Sequence, residues 1–455
     1  MIVFVDMYCG CGGMTTGFHE ACHDLGLPYR EIAINHWLRA IQTMQANHPD
    51  VLALKMDIEA ATSKDIGVKV IDLLHASPSC THHSRAKGGK PCDDQLRSQP
   101  NEIWKFVDNI HVRRITIENV PEFVNWGPLR TDGHPIKRKQ GECFQAWLQQ
   151  FTARGYTYEW RILNCADYGD ATSRKRFFLQ AVKHGCGKIR WPEPTHEENP
   201  QPDFFGRTLK PWRGICECLD YADTGRSIFG RKDPIAEKTL RRVVDGLRKY
   251  CKISLPLDLL MSSEAKTKKR VVQLGKATPL RPFLVKLNNH ATTEDTDAPL
   301  TTIKEPIGSQ TTHDRYSLVQ SFVLGQQGGA ALRPDNKPCP TISCAGALRK
   351  VDAIVIDTSR PGGPSSGHIG SAKKPIRTLT TCDNVQGVFA ILEDGRLLDV
   401  RLRMLKPSEL AAAHSFPKDY KLSGTRTDQV KQIGNSIPVQ TAKAIVKAIF
   451  GKDAK

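Results

Sequence analysis

A chain of 455 residues is long enough for a large core and, at about 150 residues per domain, for two or three domains. Its 39% hydrophobic and 25% charged residues belong to an ordinary globular protein, and a formal net charge of +17 points to a polyanionic partner. No stretch approaches the roughly 18 uninterrupted apolar residues of a membrane span, and Met1–Gly13 has no basic flank before its short apolar run, so neither membrane insertion nor secretion is expected.

The first 195 residues alternate short apolar runs with helical stretches, the pattern of a mostly parallel sheet covered by helices. Strands are expected at Ile2–Val5, Glu31–Ile34, Val70–Leu74 and Ile115–Glu118. Apolar residues at helical spacing place helices over Thr15–Leu25 and Trp37–Asn47. Trp191-Pro192-Glu193-Pro194 marks a boundary. Residues 196–395 then read as mainly β, with a helical interlude near Ile235–Tyr250. Phe283-Leu284-Val285 stands 16 residues ahead of Pro299–Ile303, and Phe322-Val323-Leu324 stands 16 ahead of Pro338–Ile342. A looser third copy pairs Ala353–Ile356 with Pro375–Leu379; similar hairpins explain this weak repeat as well as a functional repeat does. Residues 396–455 return to helical patterning, closing with a helix over Pro438–Phe450.

Four motifs in the first part carry chemistry. Asp6–Met14 is a glycine-rich turn between a strand and a helix, where Gly10, Gly12 and Gly13 let backbone approach a ligand, although such turns more often only connect elements. Asp72–Ser84 brings Cys80 onto a loop at a strand's C-terminal end, where ligands gather in open α/β folds. The neighbouring His82 and His83 suit surface or substrate contact better than a metal. Ile115–Pro121 ends a strand on Glu118, which could be catalytic or merely cap the turn. In Leu163–Leu179, Arg174 and Arg176 alternate on an extended segment and share a face, suited to a polar or anionic substrate or to a solvated edge strand. The 14 cysteines show no zinc spacing; Cys9 with Cys11 and Cys216 with Cys218 are single-gap pairs. No metal is expected, and the thiols should be reduced in a cytoplasmic compartment.

Taken in order, these motifs resemble the DNA cytosine-5 methyltransferase family. Asp6–Gly13 with Gly17-Phe18 resembles its glycine-rich opening, Ser77–Ser84 its nucleophile loop, Glu118-Asn119-Val120 its Glu-Asn-Val signature and Asp167–Arg176 its arginine segment. Near the end, Arg403–Glu409 with Phe416-Pro417 and Gly434–Val439 are similar to the last two motifs. Departures are Ser79 and Thr81 on either side of Cys80, where the family has Pro and Gln, Asn35 for the acidic ribose ligand, and Thr172 for Gln.

The resemblance implies a Rossmann-like S-adenosylmethionine-dependent domain (1–195, completed by 396–455) and an inserted, mainly β target-recognition domain (196–395). It implies that Cys80 adds to the cytosine ring, that Glu118 hydrogen-bonds or protonates ring nitrogen 3, and that Arg174 or Arg176 steadies the base oxygen. S-adenosylmethionine would be held by Tyr8, Gly10, Gly12, Gly13, Asn35, Trp37, Asp57, Ile58, Pro78 and Asn435; Trp37 could equally face the core. Double-stranded DNA is the expected partner, with a flipped-out cytosine and a monomeric enzyme, and a restriction-modification setting is in keeping with the family. The loops Asn288–Ala298, Gly325–Lys337 and Thr358–Lys374, with Gln326, Arg333 and Arg360, are expected to read the sequence. A catalytically silent DNA-binding regulator would lack Cys80 or Glu118, and both are present. RNA methylation is the alternative within the same fold.

Overall fold

The computed structural model describes residues 1–79, 83, 92–220 and 397–451. Between 222 and 392 it describes 222–223, 225–228, 235, 237–246, 273–274, 283–286, 300–302, 306–307, 316–324, 332–334, 354–357, 369–371, 385–388 and 390–392. By its internal contacts the chain divides into two compact units: residues 1–218, 304–313 and 406–455, and residues 219–303 with 314–405.

The first unit is built on a seven-stranded sheet: β1 (Ile2–Met7), β2 (Tyr29–Asn35), β3 (Leu52–Lys55), β4 (Leu73–Ala76), β5 (Arg114–Asn119), β6 (Tyr156–Asn164) and β7 (Lys175–Lys183). The order across the sheet is β3-β2-β1-β4-β5-β7-β6. Neighbours from β3 to β5 run parallel, whereas β7 is antiparallel to both β5 and β6. The expected strand Val70–Leu74 is broken at Asp72. Its carboxylate accepts from the Val3 backbone N–H at 2.8 Å and pairs with Arg113 at 2.7 Å, so Val70–Ile71 pairs with His111–Val112 instead of joining the main sheet. The arginine segment is not a solvated edge either, because β7 is covered on both sides by β5 and β6.

Side-chain alternation along the strands sorts the core into two layers. Phe4, Leu73 and Phe178 face a cluster with Phe18, Ile445, Ile449 and Phe450, while Val5, Met7, Leu74, Phe177 and Leu179 face one with Phe106, Trp147 and Phe151. The first layer is made by α1 (Gly13–Leu25) and by α6 (Val439–Phe450), from opposite ends of the chain. Between α1 and α6 in sequence lie α2 (Leu38–Asn47), α3 (Glu142–Ala153), α4 (Pro407–Ala413) and α5 (Arg426–Asn435). α1 stops where Gly26, at φ 66°, returns its N–H to the carbonyls of Cys22 and His23. It lies close enough to α6 that a Cβ on Gly17 would sit 2.5 Å from Ala442 Cβ. Residues 196–218 also pack on this unit: Trp212 Nε1 donates to the Asp167 carboxylate at 2.9 Å.

Among its described residues the second unit is mainly β, with a helix at Glu237–Gly246. Phe283–Lys286 pairs antiparallel with Leu300–Thr302, the first expected hairpin, and also with Tyr316–Leu324. The second hairpin differs: Phe322–Leu324 pairs with Leu332–Pro334 on one side and with Leu397–Asp399 on the other, and residues 338–342 lie outside the described residues. Ile354–Asp357 pairs with Ile369–Ser371, whereas 375–379 lie outside the described residues.

Candidate active site

In an open parallel sheet the ligand crevice forms at the C-terminal ends of the strands, where the chain turns in opposite directions from adjacent strands. Here that point lies between β1 and β4: the chain leaves β1 toward β2 and β3, then returns to β4 on the other side. One lip of the crevice is Tyr8–Gly13 and the other is Ser77–Ser79, with Asn35 and Glu118-Asn119 at the ends of the flanking strands β2 and β5.

On the β1 lip the backbone is held in left-handed turns at Tyr8 (φ 63°), Gly10 (φ 54°) and Gly12 (φ 87°). The structure separates the glycines by task. Among the described residues a Cβ on Gly10 would meet only the Tyr8 carbonyl oxygen at 3.9 Å, leaving room for a ligand, whereas one on Gly13 would collide with the carbonyl of Ile437. Gly13 therefore lets α1 approach the segment before α6. Beneath the loop, Thr15 Oγ1 lies 3.2 Å from Asp6 Oδ2 and 2.6 Å from Glu31 Oε1, and His19 Nε2 meets Glu31 Oε2 at 2.6 Å. Burial raises the Asp6 carboxyl well above the usual carboxylate range.

Asn35 is buried and its Oδ1 accepts from the Trp37 N–H at 2.9 Å, so a ribose hydroxyl would meet its amide N–H as a donor. Trp37 is half-buried rather than a core side chain, and the Lys431 ammonium lies 4.7 Å from the centre of its ring. Asp57 is exposed just beyond β3, next to the buried Ile58, and Asn435 is exposed at the end of α5. Hydroxyl-binding, aromatic and acidic groups thus stand at the ends of consecutive parallel strands, beside a loop with open backbone, and this donor set fits a nucleoside with a charged tail.

On the β4 lip, Ser77 N–H donates to the Met7 carbonyl at 3.2 Å, joining the two lips directly. Asn119 Nδ2 donates to the Pro78 carbonyl at 3.3 Å and Gln99 Oε1 accepts from Ser79 N–H at 3.3 Å, so the turn leading to position 80 is fixed from two sides. Cys80, Thr81 and His82 lie outside the described residues. His83 is half-buried, its ring packing 4.9 Å from Phe123 and 5.7 Å from Trp126.

Glu118 and Arg176 form a nearly water-free pair, Oε1 to Nε 3.0 Å, with both side chains under 10% exposed. The pairing follows from register, because Glu118 lies opposite Phe178 on β7 and Arg176 is two residues earlier, on the same face. Arg174 is buried as well, while Lys175 between them is exposed, which is the alternation expected of an extended segment. Thr172 is buried where residues 171–173 bridge to Ile307.

Three further residues serve this site without a local sequence signal. Asp170, fully buried, accepts from the backbone N–H groups of Gln440 and Thr441 (3.2 and 3.0 Å) and from the Thr441 hydroxyl (2.7 Å), capping the start of α6. Ser436 Oγ donates to the Ile433 carbonyl and so accepts from His414 Nδ1 at 3.1 Å. Burial, together with the Arg174 and Arg176 cations, holds the His414 ring well below its usual range, so it is neutral.

A family model described as C-5 cytosine-specific DNA methylase matches residues 2–451. The chain is 28% identical to the type II methyltransferase M.AgeI of Thalassovita gelatinovora over 478 residues, 98% of each. It is 28% identical over 225 residues to the type II methyltransferase M.AquIA of Picosynechococcus sp., covering 47% of this chain and 86% of that protein. With DNA (cytosine-5)-methyltransferase 1 of Gallus gallus it shares 22% identity over 486 residues, 97% of this chain but 29% of that one, so it spans less than a third of the chicken protein.

Proposed function

Since the chain belongs to the C-5 cytosine-specific DNA methylase family, we propose that it transfers the methyl group of S-adenosylmethionine to carbon 5 of a flipped-out cytosine in duplex DNA, with Cys80 as the covalent nucleophile. The observation that carries the chemistry is the dry Glu118–Arg176 pair, with Glu118 on the strand next to the one whose turn leads to Cys80 and Arg176 on the strand beyond it.

Carbon 5 of cytosine is a poor nucleophile until a group adds at carbon 6. The Cys80 thiolate forms an Sγ–C6 bond while Glu118 gives ring nitrogen 3 a hydrogen bond or a proton, and the ring electrons become available at carbon 5. Arg176, already paired with Glu118, and Arg174 hold the carboxyl and the base oxygen in a site from which water is excluded. S-adenosylmethionine supplies an electrophilic methyl group when bound. Carbon 5 takes that methyl group as the cofactor's carbon–sulfur bond breaks; the carbon-5 proton then passes to solvent, the nitrogen-3 proton returns to Glu118, and breaking of the Sγ–C6 bond restores the Cys80 thiolate and the aromatic ring. The other thiols near the crevice are unsuited to the first step: burial pushes Cys11 and Cys165 up to about 12 and Cys9 well above its usual range, so all three stay protonated.

Tyr8 and the backbone of Gly10 and Gly12 would cradle the cofactor tail, Asn35 its ribose, and Trp37, Asp57, Ile58 and Pro78 its base, with Asn435 beside them. Flipping the cytosine costs a few kcal/mol of stacking and pairing. Sequence choice belongs to the mainly β unit, through Gln326 and Arg360, which lie outside the described residues, and through Arg333, which the expected loop does not carry: it stands on the strand Leu332–Pro334, opposite Val323. The enzyme acts as a monomer in the cytoplasm, in a restriction-modification setting like that of its type II relatives. The test is mass spectrometry of nucleosides from duplex DNA incubated with the protein and S-adenosylmethionine. 5-Methylcytosine is expected, and finding only N4-methylcytosine or N6-methyladenine would overturn the reading. DNA containing 5-fluorocytosine should leave a stable adduct on Cys80; attachment at another cysteine would refute that assignment.

A further inference from the structure

Between Thr195 and Arg213 the chain forms an arm pinned at both ends to the turn that precedes the arginine segment. Thr195 N–H donates to the Asp167 carbonyl at 2.9 Å, Trp212 Nε1 to the Asp167 carboxylate at 2.9 Å, and Arg213 Nη1 to the Gly169 carbonyl at 3.1 Å. The two limbs are joined by Lys210 N–H to the Thr195 carbonyl and Trp212 N–H to the Glu197 carbonyl.

The tip of this arm is a built turn. Asp203 Oδ1 accepts from the N–H groups of Phe205 and Arg207, both at 2.8 Å; its carbonyl accepts from Gly206 N–H at 2.9 Å; and its own N–H donates to the Arg207 carbonyl at 2.7 Å. Gly206 supplies the left-handed corner at φ 75°. What this construction presents to solvent is Phe204, 97% exposed, and Phe205, 78% exposed, their rings 5.5 Å apart and nearly perpendicular. The Arg207 guanidinium lies 5.8 Å from the Phe205 ring.

A frayed loop that exposes an aromatic residue needs no explanation; a turn closed by four hydrogen bonds around two of them does. The surroundings indicate the partner's chemistry. From 204 to 213 the chain has Arg207, Lys210 and Arg213 and no acid, and the Asp203 carboxylate is consumed in shaping the turn. Arg213 is occupied with Gly169 and Glu217, which leaves as exposed cations Arg207, beside the Phe205 ring, and Lys210, further down the same limb. Protein-binding patches are depleted of charge at their centre, whereas an aromatic tip flanked by cations suits a polyanion with apolar sugar and base faces.

We propose that the Asp203–Arg207 turn is a second duplex-contact element of the catalytic unit: Phe204 and Phe205 press against sugars and a base step of the bound DNA while Arg207 and Lys210 neutralise flanking phosphates. The proposal rests on the DNA reading above. Because the arm is anchored at Asp167–Gly169, which runs on into Arg174 and Arg176, contact at the tip bears on the segment that meets the target base.

The experiment measures binding of the full chain to a labelled random-sequence duplex by fluorescence anisotropy across a salt series. Replacing both phenylalanines (Phe204→Ala with Phe205→Ala) should weaken binding about tenfold at every salt concentration, leaving the slope of log affinity against log salt unchanged. Changing Arg207→Ala with Lys210→Ala should instead lower that slope by about two. Both variants should unfold at the wild-type temperature, since the four side chains are exposed. Wild-type affinity in the phenylalanine variant would overturn the proposal. So would a loss that vanishes at high salt, or sedimentation showing that the phenylalanines hold two protein copies together while duplex affinity is unchanged. A wild-type chain that binds no duplex would instead remove the DNA reading on which the proposal stands.

Discussion

Asp170 is where the arginine segment takes hold of the closing helix, and its titration gives a quantitative test of that link. The carboxylate is fully buried, and desolvation raises it to about 6 although the α6 N–H groups and the Thr441 hydroxyl favour its charged form. In the unfolded chain an aspartate titrates near 3.9. Between those values the folded protein holds a proton that the unfolded chain has released, so this group's stabilisation is present below about pH 4 and is lost as pH rises through about 6. About two pKa units at about 1.4 kcal/mol each make the loss roughly 3 kcal/mol. Asp170→Asn removes the titration. It also turns an amide N–H2 toward a backbone donor, a cost of about 1–3 kcal/mol that does not vary with pH. The stability of Asp170→Asn relative to wild type should therefore rise by roughly 2 kcal/mol from pH 4 to pH 7, whatever the offset. Urea unfolding followed by tryptophan emission isolates the relevant unit, because all seven tryptophans lie between Trp37 and Trp212. A difference that stays constant to about 0.5 kcal/mol across this range would show that Asp170 does not titrate as its burial requires.

Removing one partner of the Glu118–Arg176 pair separates stability from catalysis. Arg176→Met should destabilise the unit by about 3–5 kcal/mol by stranding a buried carboxylate, measured by urea unfolding. Glu118→Gln should keep S-adenosylmethionine binding by calorimetry yet lower the single-turnover methylation rate by about 10²–10⁴-fold; an unchanged rate would remove Glu118 from the chemistry. Asn35→Asp retains an acceptor for the Trp37 N–H and offers a charged oxygen to a ribose hydroxyl, so calorimetry should find S-adenosylmethionine bound several-fold more tightly, and equal or weaker binding would place the ribose elsewhere. Gly17→Ala puts a methyl 2.5 Å from Ala442 Cβ and 2.7 Å from two backbone atoms of α6, and should cost about 1–3 kcal/mol in the same urea assay.

The strand ends that carry the site were legible because each is an apolar run halted by small or polar residues: Met7 before Tyr8–Gly13, Ile34 before Asn35, Ala76 before Ser77-Pro78, Ile117 before Glu118. The break at Asp72 was not, since its apolar neighbours hide a polar residue whose partners, Val3 and Arg113, are 69 and 41 residues away. The same distance problem conceals Asp170, whose Thr441 is 271 residues on, and the Phe204–Phe205 tip, whose anchors depend on Asp167. The glycine-rich opening shows how two demands can share one motif. Gly10 and Gly12 are there for their left-handed backbone, which any close-approach turn would announce. Gly13 and Gly17 are there for the absence of a Cβ against Ile437 and Ala442, one helical turn apart on α1. A helix seam between the two ends of a chain requires small residues on the early partner, and the four-residue spacing of Gly13 and Gly17, continued by the buried Ala21, supplies that stripe where α6 must close the sheet over β1.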